Sequence, residues 1–196
     1  MTNPGPELSA AMQFESRDLL LRFPRDSDLD DYFAFLQDPE MIRLTGSQNE
    51  FTRDEIEAWI RKIGVPSRDR VDFLIVLKQT NELLGEVVLN EIDPINRRAN
   101  IRIGIQGTNH RGKGYGTQAL IEMLRYGFEE LKLHRIELGV YAFNPRAIHV
   151  YEKIGFLREG VQRDALYSEG KFHDMILMAI LEDEFRSLYE RSRDEK

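Results

Sequence analysis

Three glycines alternate with larger residues in the segment HRGKGYGT, which spans residues 110–117. The segment follows the alternating sequence ANIRIGIQ (99–106), which predicts a strand, and it opens an amphipathic stretch at 116–131, which predicts a helix. Glycine allows a tight turn and a close approach of the backbone to a ligand. The amino end of a helix offers free N–H groups and the positive end of its dipole. The segment is therefore predicted to bind an anion, most often a phosphate.

Three phosphate-binding patterns overlap this segment. The Walker A loop requires Ser or Thr at its eighth position, where the chain has Gly114. The dinucleotide fingerprint requires its third glycine at the position of Thr117, whereas the chain places it one position early, at Gly116. The pattern Arg/Gln-x-x-Gly-x-Gly/Ala is matched without a gap by Arg111, Gly114 and Gly116. A nucleotide-binding loop and a purely structural glycine turn remain the alternatives.

A second motif follows the glycine loop at residues 144–156, with the sequence NPRAIHVYEKIGF. It matches the pattern N-x-x-A/S-x-x-x-Y-E-K-x-G-F at every defined position. With both motifs in this order, the chain resembles a GNAT N-acetyltransferase over residues 19–181. The resemblance is to the branch that acetylates protein N-termini and small amines, such as the ribosomal-protein-alanine acetyltransferases.

The resemblance implies transfer of an acetyl group from acetyl-CoA to an amine. In the family, backbone amides of the glycine loop hold the pyrophosphate of the cofactor. The strand before the loop splays from the next strand and holds the pantetheine arm, and one of its N–H groups polarises the thioester carbonyl. Glycine within this strand indicates a bulge or a close approach. The implied cofactor-binding residues are Ile103, Gly104, Ile105, Arg111, Gly112, Lys113, Gly114, Tyr115, Gly116, Thr117, Asn144 and Tyr151.

Tyr151 matches the tyrosine that protonates the leaving thiolate in many relatives. A phenol is a weak acid, but a leaving thiolate needs only a nearby proton donor. The alternative for Tyr151 is a core aromatic residue of an amphipathic helix. Asn144 matches an asparagine that touches the cofactor arm, and its side chain can also cap the helix that it precedes.

The general base is not defined by the motifs. Many relatives carry a glutamate on the strand before the glycine loop, where this chain has Asn100 and Arg102. Glu91, at the end of the preceding strand, is the candidate base. The absence of a glutamate from the strand before the glycine loop also supports a second interpretation, a non-catalytic acyl-CoA-binding or regulatory module on the same fold. The other candidates for removing the proton of the amine are Glu86, Glu137, His149 and a chain of water molecules.

Composition excludes several classes of function. The chain has 27 Lys and Arg residues against 34 Asp and Glu residues, so its net charge of −7 provides no overall attraction to nucleic acid or an anionic membrane. It contains no cysteine, which excludes disulfides and a thiolate nucleophile, and its four histidines lack zinc-protease spacing, so no metal site is expected. No apolar run approaches the ~18 residues of a membrane span. The amino-terminal sequence lacks signal-peptide features, so a cytoplasmic protein is expected.

The acceptor is expected to be a small-molecule amine, such as a polyamine, or a protein N-terminus. An acidic rim on the first predicted helix would attract a cationic amine, although a solvated charged helix face explains the same residues. The prevalence of twofold homo-oligomers favours a homodimer. The acidic residues are Asp26, Asp28, Asp30, Asp31, Asp38 and Glu40.

The hydrophobic pattern predicts one α/β domain of the α+β type at residues 14–181, between a lead-in at 1–13 and a charged tail at 182–196 that forms a short helix. Strands are predicted at 19–23, 71–77, 83–89, 99–106, 135–141, 158–166 and 172–180. About four helices are predicted around 29–36, 53–63, 116–131 and 145–154. The strict strand–helix alternation of a doubly wound fold is absent. We therefore expect a mostly antiparallel sheet of about seven strands, and the resemblance implies that it opens between the fourth and fifth.

Overall fold

A computed structural model describes residues 12–65, 67–110 and 112–189 of the chain. Within these ranges it contains one eight-stranded sheet, in the order β1-β2-β3-β4-β5-β6-β8-β7, and six α-helices. The strands are β1 (Gln13–Glu15), β2 (Leu19–Arg22), β3 (Val71–Leu77), β4 (Glu82–Asp93), β5 (Arg98–Ile105), β6 (Arg135–Tyr141), β7 (Leu157–Ser168) and β8 (Lys171–Leu181). The helices are α1 (Leu29–Leu36), α2 (Pro39–Thr45), α3 (Arg53–Ile63), α4 (Tyr115–Arg125), α5 (Pro145–Ile154) and α6 (Glu182–Tyr189).

The predicted mixed α/β fold is confirmed, with one more strand than the seven expected. The extra strand is β1, which pairs antiparallel with β2 and begins at the last residue of the predicted lead-in. Residues 1–11 of that lead-in lie outside the described residues, as do residues 190–196 of the predicted tail. The predicted long helix after the glycine loop is α4 followed by a π-helical turn, Tyr126–Glu130.

Helix α2 is a correction to the expected single acidic helix in this region. Asp38 caps it by accepting a hydrogen bond from the Met41 N–H at 2.8 Å, and Pro39 occupies its first position. Gly46 ends it in the left-handed conformation, with φ of 67°. Proline at the first position and glycine after the last are the usual signals of a helix, so the segment forms a helix of its own.

The sheet opens where the sequence resemblance implied, because the predicted fourth and fifth strands are β5 and β6 of the structure. Strands β2 to β5 form an antiparallel meander, whereas β5 and β6 run parallel. The parallel pairing covers only three residue pairs, from Arg98 with Arg135 to Asn100 with Glu137. Beyond the last pair the two strands separate, and this gap positions the candidate site.

Apolar side chains cover both faces of the sheet. On the first face, which we call the α1–α3 face, Tyr32, Phe35 and Ile60 pack with Leu74 and other strand residues. On the second face, which we call the α4–α5 face, a larger cluster of buried apolar side chains from α4, α5 and the strands forms the core. The gap between β5 and β6 therefore connects two separate layers of helices.

Candidate active site

A cleft of about 590 Å³ occupies the gap between β5 and β6. Strand β5 forms one wall and β6 with the start of α5 forms the other. The glycine loop and the amino end of α4 close one end of the cleft, while α2 lines it from the α1–α3 face. The two sequence motifs, which are distant along the chain, therefore contribute to the same cleft.

The backbone of the glycine loop explains its composition. Gly112 and Gly114 have φ of 78° and 83°, a conformation that costs other residues about 1–2 kcal/mol. Gly114 caps α4, and a Cβ at this position would have no neighbour within 4 Å. Its conformation, not crowding, therefore requires glycine. The first three N–H groups of α4, from Tyr115 to Thr117, lack partners within the helix and are available to an anion.

The charged residues around this loop differ in part from those expected. Lys113 is exposed and does not line the cleft, and Arg111 lies outside the described residues. Arg146, which was not among the predicted cofactor-binding residues, lines the cleft. Its guanidinium lies 3.7 Å from the position that a Cβ on Gly112 would occupy. A basic residue in the first turn of a helix is unfavourable to the helix dipole, and this was the signal in the sequence that could have made Arg146 a candidate.

Ile103, Gly104 and Ile105 of β5 all line the cleft. The pairing between β4 and β5 runs without a shift through Gly104, so the strand has no bulge at this glycine. Instead, a Cβ on Gly104 would lie 2.9 Å from Cζ of Phe35, a buried residue of α1. Of the two explanations given for this glycine, the structure therefore supports the close approach.

Asn144 and Tyr151 both line the cleft from α5. The side-chain oxygen of Asn144 accepts a hydrogen bond from the Ala147 N–H at 3.1 Å, which caps the helix. Tyr151 is buried, with its ring edge-on to Phe156 at 5.8 Å. Burial raises the pKa of the Tyr151 phenol to about 12, so the hydroxyl keeps its proton at neutral pH. The group can therefore donate a proton and is unsuited to accept one.

The candidate bases are not brought together. Glu91 is exposed, adopts φ of 53° at an irregularity in the β4–β5 pairing, and does not line the cleft. Glu137 is paired with Arg135 at 2.8 Å. Glu86 accepts a hydrogen bond from the Tyr32 hydroxyl at 2.6 Å, and burial raises the pKa of its carboxyl. Among Glu86, Glu91, Glu137 and His149, only His149 lines the cleft.

The acidic residues expected to form a rim are spread over separate structures. Only Glu40 of the six lines the cleft. Asp28 is paired with Arg22 at 2.7 Å, and Asp38 accepts a hydrogen bond from the Gly107 N–H at 3.0 Å. Most of these carboxylates therefore serve helix caps and ion pairs and do not line this cleft, which favours the alternative of a solvated charged helix face.

The described residues contain neither a metal-binding cluster nor a membrane-spanning helix. In residues 12–65, 67–110 and 112–189, no group of three or more His, Asp or Glu side chains is arranged to hold a metal ion. In the same part of the chain, no helix is both long and apolar enough to cross a membrane.

Comparisons with known proteins agree with this geometry. Residues 18–157 match the family model described as the acetyltransferase (GNAT) domain. The chain is 35% identical over 113 residues to the uncharacterized N-acetyltransferase p20 of Bacillus licheniformis, covering 58% of this chain and 63% of that protein. It is 36% identical over 132 residues to spermidine N(1)-acetyltransferase of Vibrio cholerae, covering 67% of this chain and 75% of that protein. Thus it spans less than two thirds of the length of p20.

Solved structures show the same relationship. The crystal structure of Vibrio cholerae spermidine N-acetyltransferase in complex with CoA and spermine matches with a TM-score of 0.79 at 29% identity, covering 87% of this chain and 99% of that one. A GNAT acetyltransferase from Bacillus anthracis matches with a TM-score of 0.75 at 26% identity, covering 88% and 100% of the two chains. The chain therefore belongs to the GNAT family of acetyltransferases, whose acetyl donor is acetyl-CoA.

Proposed function

We propose that this protein transfers an acetyl group from acetyl-CoA to a primary amine, by direct attack of the amine while both substrates are bound. The observation that carries the proposal is the cleft between β5 and β6. It has a glycine loop at one end, strand backbone along its wall and the buried phenol of Tyr151 at its side. Each of these features meets one requirement of acetyl transfer to an amine.

The loop end of the cleft fits the phosphates of the cofactor. Gly112 and Gly114 turn the backbone toward α4, whose first N–H groups are unpaired within the helix. The guanidinium of Arg146 lies beside this loop and supplies a positive charge. Unpaired N–H groups and a guanidinium together are the donors that phosphate oxygens require.

Residues along the cleft would then orient and activate the reacting groups. Bound acetyl-CoA would supply the acetyl group as a thioester. A backbone N–H of β5, within residues 103–105, would donate a hydrogen bond to the carbonyl oxygen where negative charge develops. Tyr151 would donate its proton to the sulfur as the C–S bond breaks and the C–N bond forms. The hydroxyl suits this role because it remains protonated at neutral pH.

The proton of the attacking amine needs a separate route. Glu86, Glu91 and Glu137 do not line the cleft, so none of them is placed to take the proton directly. His149 is exposed at the cleft and, together with water at its open mouth, provides the proposed route to solvent. The proton donor and the proton acceptor are therefore different groups in this proposal.

The acceptor is proposed to be a primary amine, carried by a protein N-terminus, a polyamine or another small molecule. Support for an amine comes from the names of the relatives, which include spermidine N-acetyltransferases of Vibrio cholerae and Escherichia coli. Support for direct attack comes from the gap in the sheet, which gives an amine access to the strand backbone from the α1–α3 face.

The test is acetyl-CoA binding and turnover in a Tyr151→Phe variant. Calorimetry should show binding of acetyl-CoA, whereas NAD and Mg-ATP should not bind. Release of CoA with a panel of amines should fall by about 10²- to 10⁴-fold in the variant, the usual contribution of a general acid. The dissociation constant of acetyl-CoA should change by less than about threefold, because the loop end of the cleft is intact.

The matched control is Tyr167→Phe, which removes the same hydroxyl from an exposed residue outside the cleft. This control should turn over like the parent protein. Binding of acetyl-CoA without acetylation of any amine would support the second candidate, a non-catalytic acyl-CoA-binding module.

A further inference from the structure

Two arginines line the cleft from the face of the sheet opposite the glycine loop. Arg43 lies on α2 and Arg102 on β5. Side chains alternate along a strand, so Arg102 shares a face with Gly104, whose Cβ position meets Phe35 on the α1–α3 face. Ile103 and its neighbour Ile105 point to the other face, where they lie 3.9 Å from the Cβ position of Gly116. The arginine pair is therefore separated by the sheet from the loop that fits the cofactor phosphates.

Neither guanidinium is neutralised by an ion pair. Both arginines are exposed, and within the described ranges no carboxylate lies at ion-pair distance from either. The two carboxylates that share the face of Arg102 have closer partners: Asp72 is paired with Arg70 at 2.7 Å, and Glu86 accepts from Tyr32 at 2.6 Å. Both still attract the Arg102 guanidinium at longer range. A guanidinium has five N–H donors, so donors on both arginines remain for a ligand.

An aromatic wall flanks Arg43. Tyr141 and Phe143 stack with ring centroids 5.4 Å apart and planes 9° from parallel. The guanidinium carbon of Arg43 lies 6.0 Å from the centroid of Phe143, and the Phe143 ring meets His173 edge-on at 4.7 Å. Tyr141 also packs against Gly46, which ends α2. The wall therefore combines apolar surface with an oriented positive charge.

From this arrangement, and resting on the proposed function, we propose that the acceptor is a primary amine carrying a carboxylate close to its nitrogen, which Arg43 and Arg102 bind. Planar guanidinium groups bind carboxylates through paired hydrogen bonds. Among the acidic side chains that line the cleft, only Glu40 opposes these two positive charges. Arg102 lies two residues from Gly104, about 6.6 Å along the strand, so a carboxylate bound there leaves the neighbouring amine near the cleft wall.

Two sources could present this chemistry, and matched substrates distinguish them. Phenylalanine and phenylalaninamide differ only in the α-carboxylate. The peptides Ala-Glu-Phe and Ala-Gln-Phe, both with an amidated carboxyl end, differ only in an acidic side chain beside the N-terminus. In at least one pair, kcat/KM should be roughly tenfold to a hundredfold higher for the member with the carboxylate. The pair that shows the preference identifies the source.

Variants assign the preference to the arginines. In Arg102→Gln and in Arg43→Gln, the ratio of kcat/KM between the two members of the pair should fall by about tenfold, mainly through KM of the carboxylate member. Arg163→Gln removes an exposed arginine of β7 that does not line the cleft, and it should keep the parent ratio.

The outcomes separate this inference from the proposed function. The inference is overturned, and the proposed function left standing, if neither pair shows a preference for its carboxylate member or if spermidine is acetylated at least as fast as both carboxylate members. An unchanged ratio in both arginine variants also overturns it. Failure to acetylate any amine, with acetyl-CoA bound, overturns both.

Discussion

Gly104 offers a direct test of why glycine occurs within β5. In Gly104→Ala, the new Cβ would lie 2.9 Å from Cζ and 3.3 Å from Cε2 of Phe35, and 3.6 Å from Cγ of Met41. Favourable contacts between carbon atoms occur at about 3.5–4.0 Å, so the methyl group overlaps the ring by several tenths of an ångström. Phe35 is only 1% exposed, so neighbouring side chains enclose its ring. The backbone of Gly104 does not have a positive φ, so the cost comes from this overlap alone.

The expected magnitude follows from these contacts. Overpacking by a methyl group costs about 1–3 kcal/mol, and the reduced entropy of the unfolded chain returns about 0.4–1 kcal/mol. The free energy of unfolding should therefore fall by roughly 1–2 kcal/mol. For a domain of this size, that corresponds to a decrease in Tm of about 2–8 °C. Urea unfolding monitored by circular dichroism measures the free energy, and a thermal scan measures Tm.

A double-mutant cycle with Phe35→Leu tests the cause. Leucine lacks the ring atoms that the methyl group meets, so Gly104→Ala should cost about 1 kcal/mol less in that background. Acetyl-CoA affinity should be retained, because the Cβ of Gly104 points to the α1–α3 face and away from the glycine loop. The reasoning is wrong if the alanine variant is as stable as the parent, or if its cost is the same with Leu at position 35. Loss of acetyl-CoA affinity at unchanged stability would instead assign the glycine to the cofactor.

Three other predictions concern charged residues. Asp38→Ala removes a helix cap and the acceptor for the Gly107 N–H, so urea unfolding should show a loss of about 1–2 kcal/mol, with a smaller loss in Asp38→Asn. Burial raises the pKa of Glu86 above its ordinary value of 4.5, so the stability contributed by its protonated form is lost as pH rises through the folded-state pKa. Glu86→Gln should therefore become increasingly stable relative to the parent above pH 4.5 in urea unfolding series, and a pH-independent difference would contradict this. Arg146→Gln should raise the acetyl-CoA dissociation constant roughly tenfold to a hundredfold in calorimetry, whereas Arg163→Gln should not.

Local signals in the sequence were sufficient for most of the fold. Alternating isoleucines predicted β5, and the hydrophobic pattern predicted α3, whose start the structure shows to be a reciprocal cap between Thr52 and Glu55. The opening between β5 and β6 is different, because no local pattern encodes it. It followed only from the resemblance carried by the two motifs, and the structure confirms it by ending the parallel pairing at Asn100 and Glu137.

Elements that depend on distant contacts were harder to predict. Strand β1 has three residues, too few for an alternating pattern, and Phe14 is held by rings of Phe73 and Tyr126 at 5.3 and 5.2 Å. Helix α2 has a clear start at Asp38 and Pro39, but the surrounding acidic residues suggested one continuous charged helix. Short elements are decided by tertiary packing, which a sequence pattern does not report.

Glu91 shows why the sequence alone did not identify a base. Its position at the end of β4 placed it near the cleft only if the gap opened toward that end of the sheet. The register shows the opposite, because Glu91 lies beyond Asn90, which pairs with Asn100 where β5 and β6 are still joined. The sequence therefore assigned Glu91 to the correct strand, but that residue lies at the end of the sheet away from the gap.

The sheet divides the cleft in a way that suits two separate proton transfers. Tyr151 packs within the core of the α4–α5 face, on the same side as the glycine loop proposed to hold the cofactor. Arg43 and Arg102 line the opposite side, where the amine is proposed to enter. With a pKa of about 12, Tyr151 is suited to protonate the leaving sulfur and unsuited to accept a proton from the amine. The positions of Glu86, Glu91 and Glu137 outside the cleft are therefore compatible with catalysis, because the amine can lose its proton to water on the open side of the sheet.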